Sequence, residues 1–298
     1  MTSREKGFLL LTSHLGDPSR KPLTVPQLRK LAGRARELNM EDPNRDMVPE
    51  DLIKLGYTPE MAEQILSLLS DKELLEYYLH RAYRQGCRVL TRVSPGYPPR
   101  VRTKLGLDSP GCLWAKGDLS LLEKPAVSAV GSRDLRSANR EFAYEIGVQA
   151  AMQGYVLISG NARGADTVAQ EACLAAGGSV ISVVADDLQK QPEREHVLYL
   201  SEDSFDEAFS AQRAISRNRV IHTLGSKTFV AQCGNGTGGT WDGTMKNLNA
   251  GWSSVYCFRD GSAAARLLED MGAVLVEKQE LADFSQLNEL QITMEETL

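Results

Sequence analysis

The stretch that decides the fold is GYVLISGNARGADTVAQEACLAAGGSVISVVA, residues 154–185. It begins with a continuous apolar run, YVLIS at 155–159, and ends with another, SVISVVA at 179–185. Between the two runs lie a glycine-containing loop and the segment DTVAQEACLAAGG, which has the composition of a helix stopped by glycine. Continuous apolar strands joined through a helix are typical of a parallel sheet covered on both faces.

The same alternation of apolar runs and helical segments continues on both sides of this stretch. Further strands are predicted at AVSAV 126–130, KTFVAQ 227–232, SVYCF 254–258 and AVLV 273–276. We therefore expect an α/β fold over residues 125–278, with a Rossmann-like, doubly wound and mostly parallel sheet. In such a sheet ligands bind beyond the carboxyl ends of the strands, so the loops there are the first places to search for a site.

The rest of the chain divides into three segments by composition. Residues 1–85 carry amphipathic helical patterns, such as TVPQLRKLAGRARELN at 24–39 and TPEMAEQILSLLS at 58–70. They predict a small all-α domain of the SAM or helix-hairpin-helix type in front of the sheet. Residues 86–124 are rich in proline and glycine and are predicted to form a connector, and residues 279–298 are predicted to form an acidic tail.

Composition narrows the classes of function. The chain has 298 residues, a net charge of −5, four scattered histidines and five cysteines without a C-x-x-C pair. These features predict a cytoplasmic protein without disulfides or a metal site, and the lack of a run of about 18 apolar residues predicts no membrane span. The negative charge argues against coating of nucleic acid through bulk charge. Residues 81–104 nevertheless hold seven basic residues and no acid, which leaves open a phosphate-facing surface or an ordinary solvated one.

Three loops at predicted strand ends carry the candidate site. Gly131-Ser132-Arg133 follows the first strand, the loop 159–166 follows the second, and the glycine-rich loop 233–244 follows the fourth. Glycines let a phosphate approach the backbone, while hydroxyl groups and arginines supply hydrogen-bond donors. Asp166 is predicted to be the N-cap of the following helix, whose first amides favour an anion. For each loop the alternative is that the glycines only shape a tight turn.

A fourth element, Arg217-Asn218-Arg219, enters the short helix RVIHTLG. Arginines at the positive end of a helix are unfavourable unless an anion lies there. The alternative is an ion pair with one of the nearby acids Glu202, Asp203, Asp206 and Glu207. None of these elements is a P-loop or a dinucleotide fingerprint, and no nucleophile with an adjacent base is identified, so no catalytic residue is predicted. The complete predicted phosphate-binding set is Gly131, Ser132, Arg133, Ser159, Gly160, Asn161, Ala162, Arg163, Gly164, Asp166, Arg217, Asn218, Arg219, Gly236, Thr237, Gly238, Gly239 and Thr240.

The same motifs, in the same order, resemble those of the DNA-processing protein A (DprA, also called Smf) family. The resemblance covers about residues 72–276 and rests on the motifs G-S-R, S-G-x-A-R-G-x-D and R-N-R. It implies a Rossmann-like protein with a helical front domain, which binds single-stranded DNA and loads a RecA-type recombinase during natural transformation. It also implies a homodimer, with no established catalytic activity, cofactor or metal.

The chain departs from the family pattern in the loop 233–244. The segment GTGGTWDGT within it resembles the P-G-G-x-G-T loop of "lonely guy" phosphoribohydrolases, enzymes that use a glutamate in G-T-x-x-E. Here Gly243 stands at the position of that glutamate, and Asp242 lies one residue earlier. The sequence therefore leaves the ligand open between a DNA strand and a free nucleotide, the latter held by a sensor or a hydrolase.

Overall fold

The computed structural model describes residues 1–35 and 46–287, and the chain divides into two compact units, Met1–Tyr97 and Pro98–Leu298. Two sequence predictions fall partly outside the described residues: the end of the helix predicted over 24–39, and the part of the acidic tail that begins at residue 288. None of the helices in the described ranges is long and apolar enough to cross a membrane.

The first unit is built mainly from helices. The helix predicted from TPEMAEQILSLLS is confirmed: Thr58 caps it by accepting from the Met61 N–H at 3.3 Å, and Pro59 is its first residue. Leucines and isoleucines of neighbouring helices pack into one core, which includes the fully buried Leu52 and Ile65. The elements are α1 (Ser3–Thr12), α2 (Val25–Ala35), α3 (Pro49–Lys54), α4 (Pro59–Ser70), α5 (Lys72–Arg84) and β1 (Cys87–Thr91).

The second unit alternates strands and helices, as the apolar runs predicted. The predicted strands at 126–130 and 254–258 have the observed bounds, and the others differ at their ends by one to two residues. The elements are α6 (Pro99–Leu105), β2 (Cys112–Gly117), β3 (Ala126–Val130), α7 (Ser137–Met152), β4 (Val156–Ser159), α8 (Ala165–Ala175), β5 (Ser179–Val183), β6 (Val197–Ser201), α9 (Ala211–Ser216), α10 (Asn218–Leu224), β7 (Lys227–Val230), α11 (Gly239–Ala250), β8 (Ser254–Phe258), α12 (Ala263–Asp270) and β9 (Val274–Val276).

The strands of the second unit form one sheet in the order β2-β6-β5-β4-β3-β7-β8-β9. All pairs from β6 to β9 are parallel, and β2 pairs antiparallel with β6. The α/β, doubly wound fold class is therefore confirmed. Three strands were not predicted. β1 and β2 lie in the segment 86–124, which was predicted to be a connector, and β6 directly precedes the acids Glu202 and Asp203 in a segment for which no strand was predicted.

The strand order places the candidate loops together. From β3 the chain adds β4, β5 and β6 on one side, and then returns to add β7, β8 and β9 on the other. The loops after β3, β4 and β7 therefore leave three adjacent strands at the point where the winding reverses, which is where doubly wound sheets bind ligands. Helices α7 and α8 pack tightly over this region because Gly147 lies against the backbone of α8, where a Cβ would overlap the Ala169 carbonyl oxygen.

The segment 279–287, predicted as the start of an acidic tail, is part of the folded unit. Leu281 and Phe284 are fully buried, and the Phe284 ring centroid lies 4.7 Å from that of Phe229 in β7. Gln153 fixes the segment at both ends, because its amide donates to the Leu281 carbonyl at 2.9 Å and accepts from the Phe284 N–H at 2.7 Å. The acidic side chains of this segment lie toward solvent, while its apolar side chains pack inward.

Candidate anion-binding site

A pocket of about 560 Å³ opens at the carboxyl ends of β3, β4 and β7. It brings together predicted residues from all four sequence elements, namely Gly131, Ser132, Arg133, Ala162, Asp166, Arg217, Asn218, Thr237, Gly238, Gly239 and Thr240. Lining residues that the sequence analysis did not single out include Val130, Asp134, Ala211, Ala214, Ile215, Ile221 and His222. Predicted residues outside the lining are Ser159, Gly160, Asn161, Arg163, Gly164, Arg219 and Gly236.

Arg217 is the buried cation of this pocket. Its residue is 6% exposed, its Nε is buried without a partner, and its guanidinium makes no hydrogen bond or ion pair with any described residue. Burial lowers the pKa of Arg217, while the charges of Asp166, Asp186 and Glu202 act against that shift. A guanidinium taken out of water without direct partners is costly, so its N–H groups are available to an anion that enters the pocket.

Gly160 makes room for this guanidinium. A Cβ built at Gly160 would overlap the Nη1, Nη2 and Cζ atoms of Arg217, which therefore lies directly on the loop backbone. Asn161 follows in the left-handed region with a φ of 59° and turns its amide away toward Gln191, at 3.4 Å. Although Gly160 and Asn161 do not line the pocket, the first of them fixes the position of the arginine that does.

The start of α8 differs from the prediction. Gly164, with a φ of 93°, is the N-cap, and Asp166 lies inside the first turn, so the assignment of Asp166 as N-cap is wrong. Asp166 instead accepts from the Ala162 N–H at 3.1 Å and holds the loop closed. Burial raises the pKa of Asp166, and the charge of Arg217 opposes that increase. Glycine is needed at 164 because a side chain would overlap the Ser132 carbonyl, so the loops after β3 and β4 touch.

The other predicted arginines are placed differently. Arg133 lines the pocket, is exposed, and has no side-chain hydrogen bond or ion pair within the described ranges. Arg163 pairs with Asp134 at 2.7 Å at the rim, and both side chains are more than three-quarters exposed, so this ion pair is weak. Arg219 turns away from the pocket and pairs with Glu202 at 3.0 Å, which is the ion-pair alternative weighed from the sequence.

The loop after β7 is shorter than predicted. Helix α11 begins at Gly239, with Gly238 as its N-cap at a φ of 95°, so residues 239–244 are helical and not loop. Gly238, Gly239 and Thr240 put the start of this helix on the pocket wall, and Asn218 fixes it by donating from Nδ2 to the Gly239 carbonyl at 3.1 Å. Gly236 is exposed and lies outside the lining.

The position that resembles the phosphoribohydrolase glutamate carries no acid. Gly243 faces α10, where a Cβ would lie 3.1 Å from His222 Nε2. Asp242, one residue earlier, is exposed and does not line the pocket. The structure therefore does not bring a carboxylate from α11 to the place where that enzyme class uses one.

The basic stretch 81–104 is in part structural. Arg100 donates to the carbonyls of Thr223 and Gly225 at 3.2 and 3.0 Å, and Lys104 donates to the carbonyl of Gly251 at 3.1 Å. These side chains cap carbonyl oxygens at the C-terminal ends of α10 and α11. Their charges are therefore used inside the second unit and do not form a separate phosphate-facing surface.

His222 is a pocket residue that sequence reasoning missed. It is 1% exposed, and its Nδ1 lies 3.2 Å from the Asn247 amide nitrogen. Asn247 also donates to Ser253 Oγ at 3.0 Å and accepts from the Ser253 N–H at 2.9 Å, which fixes the amide orientation. Because the amide nitrogen is a donor, Nδ1 accepts and the imidazole proton is on Nε2. The four-residue spacing from Asn218 is the only sequence signal that could have pointed to it.

His222 should make stability depend on pH. Burial lowers its pKa from 6.5 to about 3, so the folded chain stays neutral there while the unfolded chain takes up a proton below 6.5. Stability therefore falls as the pH decreases across this window, by about 2 kcal/mol at pH 5. Urea unfolding at pH 7 and pH 5 checks this: the native protein should lose about 2 kcal/mol more than His222→Gln, which does not titrate. Equal losses in the two proteins would contradict it.

The segment of the chain that builds this pocket is similar to known proteins. The family model described as DNA recombination-mediator protein A matches residues 88–280. The chain belongs to this family. It is 28% identical to DNA processing protein DprA of Bacillus subtilis over 187 residues, which cover 57% of this chain and 62% of that protein. It is 27% identical to protein Smf of Escherichia coli over 192 residues, which cover 61% of this chain and 50% of that protein.

Solved structures of the family share the fold. The X-ray structure of DNA processing protein A from Streptococcus pneumoniae superposes with a TM-score of 0.72 at 22% identity, over 94% of this chain and 98% of that chain. A structure of the Helicobacter pylori protein, described for its single-stranded DNA binding mode, gives a TM-score of 0.56 at 21% identity over 66% of this chain and 94% of that chain. The curated relatives are longer than the matched part, which spans 62% or less of each.

Proposed function

We propose that this protein binds single-stranded DNA, with a backbone phosphate held in the pocket between β3, β4 and β7. The observation that carries the proposal is Arg217, a buried guanidinium that lines the pocket and has no partner among the described residues. Membership of the family and the single-stranded DNA binding named for the Helicobacter pylori protein support DNA as the ligand.

The chemistry of the pocket suits a phosphate. Arg217 supplies a planar fork of N–H donors from below, and Arg133 supplies a second cation from the exposed side. The first turn of α11, with Gly238 and Gly239 on the wall, adds backbone amides and the positive end of a helix. A phosphate there would accept hydrogen bonds from donors, such as Arg217 Nε, that have no partner among the described residues.

The remaining predicted residues act on the rim or as supports in this proposal. Arg163 is held only by a weak, exposed pair with Asp134, so it is free to turn to the next phosphate of a strand. Gly160 and Asp166 hold Arg217 and the loop in place. Arg219 supports the site indirectly by occupying Glu202.

Resemblance to the family also points to a role in recombination. We infer that the bound strand is passed to a RecA-type recombinase and that the protein acts as a homodimer, in support of DNA uptake. The name of the matched family, a recombination mediator, supports the first of these roles.

The direct test is a fluorescence-anisotropy titration with labelled oligo-dT at several salt concentrations. We expect micromolar or tighter binding at low salt, with log affinity falling by about 1.4 per log unit of salt if two phosphates are neutralised, at about 0.7 each. Unlabelled AMP and dTMP serve as competitors in the same assay. Absence of oligo-dT binding at low salt overturns the proposal.

The competitor arm separates DNA from a free nucleotide. If a mononucleotide displaces the probe at the same molar concentration as an unlabelled oligonucleotide does, and longer oligonucleotides bind no better, the ligand is a nucleotide. If affinity increases with oligonucleotide length and mononucleotides compete only in large excess, the ligand is a strand.

A further inference from the structure

The pocket has a second polar group that the phosphate site does not use. His222 lines the pocket, its Nε2 carries the imidazole proton, and Nε2 makes no hydrogen bond with any residue the structure describes. The residue is 1% exposed as a whole, so an acceptor reaches this N–H only through the pocket that His222 lines. A donor at the pocket lining without a protein partner is available to an acceptor that enters the pocket.

The imidazole is held in place by a buried chain of hydrogen bonds. Asn247 fixes Nδ1, Ser253 fixes Asn247, and Thr228 Oγ1 lies 2.7 Å from Ser253 Oγ. Asn247, Ser253 and Thr228 are each less than a tenth exposed. Such a network sets both the tautomer and the direction of the ring, so Nε2–H is a fixed donor. Because burial lowers the pKa of His222 to about 3, the donor is neutral at physiological pH.

The surroundings of His222 differ from those of Arg217. His222 follows Arg217, the N-cap of α10, by five positions, which corresponds to about 7.5 Å along the helix axis. Ser128 Oγ donates to the Ile221 carbonyl at 2.6 Å, which places this turn of α10 beside the middle of β3 and below the strand end. The aliphatic side chains of Ile221 and Val130 line the same pocket. Among the described lining residues the cations are Arg133 and Arg217, whereas the two aliphatic side chains and His222 offer a flat base apolar contacts and one neutral donor.

From these observations we infer that His222 reads the base of the nucleotide whose phosphate lies on Arg217, by donating from Nε2 to a ring carbonyl oxygen. This inference rests on the proposed single-stranded DNA binding. Thymine, cytosine and guanine carry a carbonyl oxygen, and adenine does not. His222 is therefore a specificity-determining residue that favours carbonyl-bearing bases at one position of the strand.

The test compares oligo-dT with oligo-dA of equal length in the anisotropy assay, with the native protein and three variants. His222→Phe removes the donor, Gly243→Ala puts a methyl 3.1 Å from Nε2 without changing the imidazole, and His222→Gln keeps an N–H near the same place. We expect the dT-to-dA affinity ratio to fall about fivefold in the first two variants and to be retained in His222→Gln.

Each outcome of this comparison supports or overturns the role of His222. Unequal intrinsic stacking of the two oligonucleotides does not matter, because the readout is the change of the ratio between proteins and not the ratio itself. An unchanged ratio in His222→Phe and Gly243→Ala, or an equal loss for both oligonucleotides, overturns the role of His222 while leaving DNA binding intact. If the native protein binds neither oligonucleotide, the proposed function fails and this inference fails with it. Gly243→Ala keeps the test valid if His222→Phe does not fold.

Discussion

Replacement of Arg217 by methionine is expected to remove most of the affinity for oligo-dT and to leave the free protein at least as stable. The affinity should fall about 100-fold or more, because truncation of one partner of a buried charge pair costs about 2–5 kcal/mol. Stability should not fall, because Arg217 is buried without a hydrogen bond or ion pair among the described residues, so methionine fills the space and removes a charge that the fold does not pair directly. Anisotropy gives the first quantity and thermal unfolding without DNA gives the second.

Arg219→Met is the matched control for this prediction. Arg219 lies two residues away in the same motif but pairs with Glu202, whose side chain is 4% exposed. Its loss leaves a buried carboxylate without its cation, so the control should unfold at a lower temperature while affinity changes within about threefold, less than 1 kcal/mol. The opposite pattern would be a stable Arg219 variant that does not bind and a destabilised Arg217 variant that does. It would mean that Arg219, and not Arg217, binds the phosphate.

Gly160→Ala is the second substitution with a large expected effect. The added Cβ overlaps the Arg217 guanidinium, which is the far end of a side chain and can move, so the protein should fold. The displaced guanidinium no longer points to the phosphate, and we expect the affinity for oligo-dT to fall at least about 30-fold, or about 2 kcal/mol. Anisotropy against the native protein measures the loss.

A double-mutant cycle separates this mechanism from general damage to the loop. If Gly160→Ala acts only by moving Arg217, then adding it to Arg217→Met should cause no further loss of affinity. Additive losses would mean that the glycine contributes through the loop backbone, and the assigned role of Gly160 would be withdrawn.

The fold could be predicted from the sequence because its signals are local. The apolar runs at 126–130 and 254–258 have a length and composition that only a buried strand explains, and both have the observed bounds. Strand β6, Val197–Ser201, was missed because the acids that follow its apolar run dominated the interpretation. Its partner β2 was missed because proline and glycine on both sides made that segment resemble a connector.

The site was predictable as a set of loops but not residue by residue. The R-N-R motif contains two arginines, and nothing local decides which one turns inward; the structure places Arg217 inside and Arg219 against Glu202 because of how α10 packs. Asp166 was assigned as a cap from its residue type, although the cap is Gly164, whose positive φ follows from the close approach of the loop after β3. His222 could not be found, since its role depends on Asn247 and Ser253, which are distant in sequence.

The buried position of Phe284 also bears on how far the packed unit extends past the family match. The family model matches as far as residue 280, yet aromatic packing on Phe229 and the two hydrogen bonds of Gln153 continue to Phe284. The boundary of the family match therefore lies inside the packed unit and does not mark the edge of its core. Residues just past the family match therefore need apolar side chains, because Leu281 and Phe284 close one side of the interior.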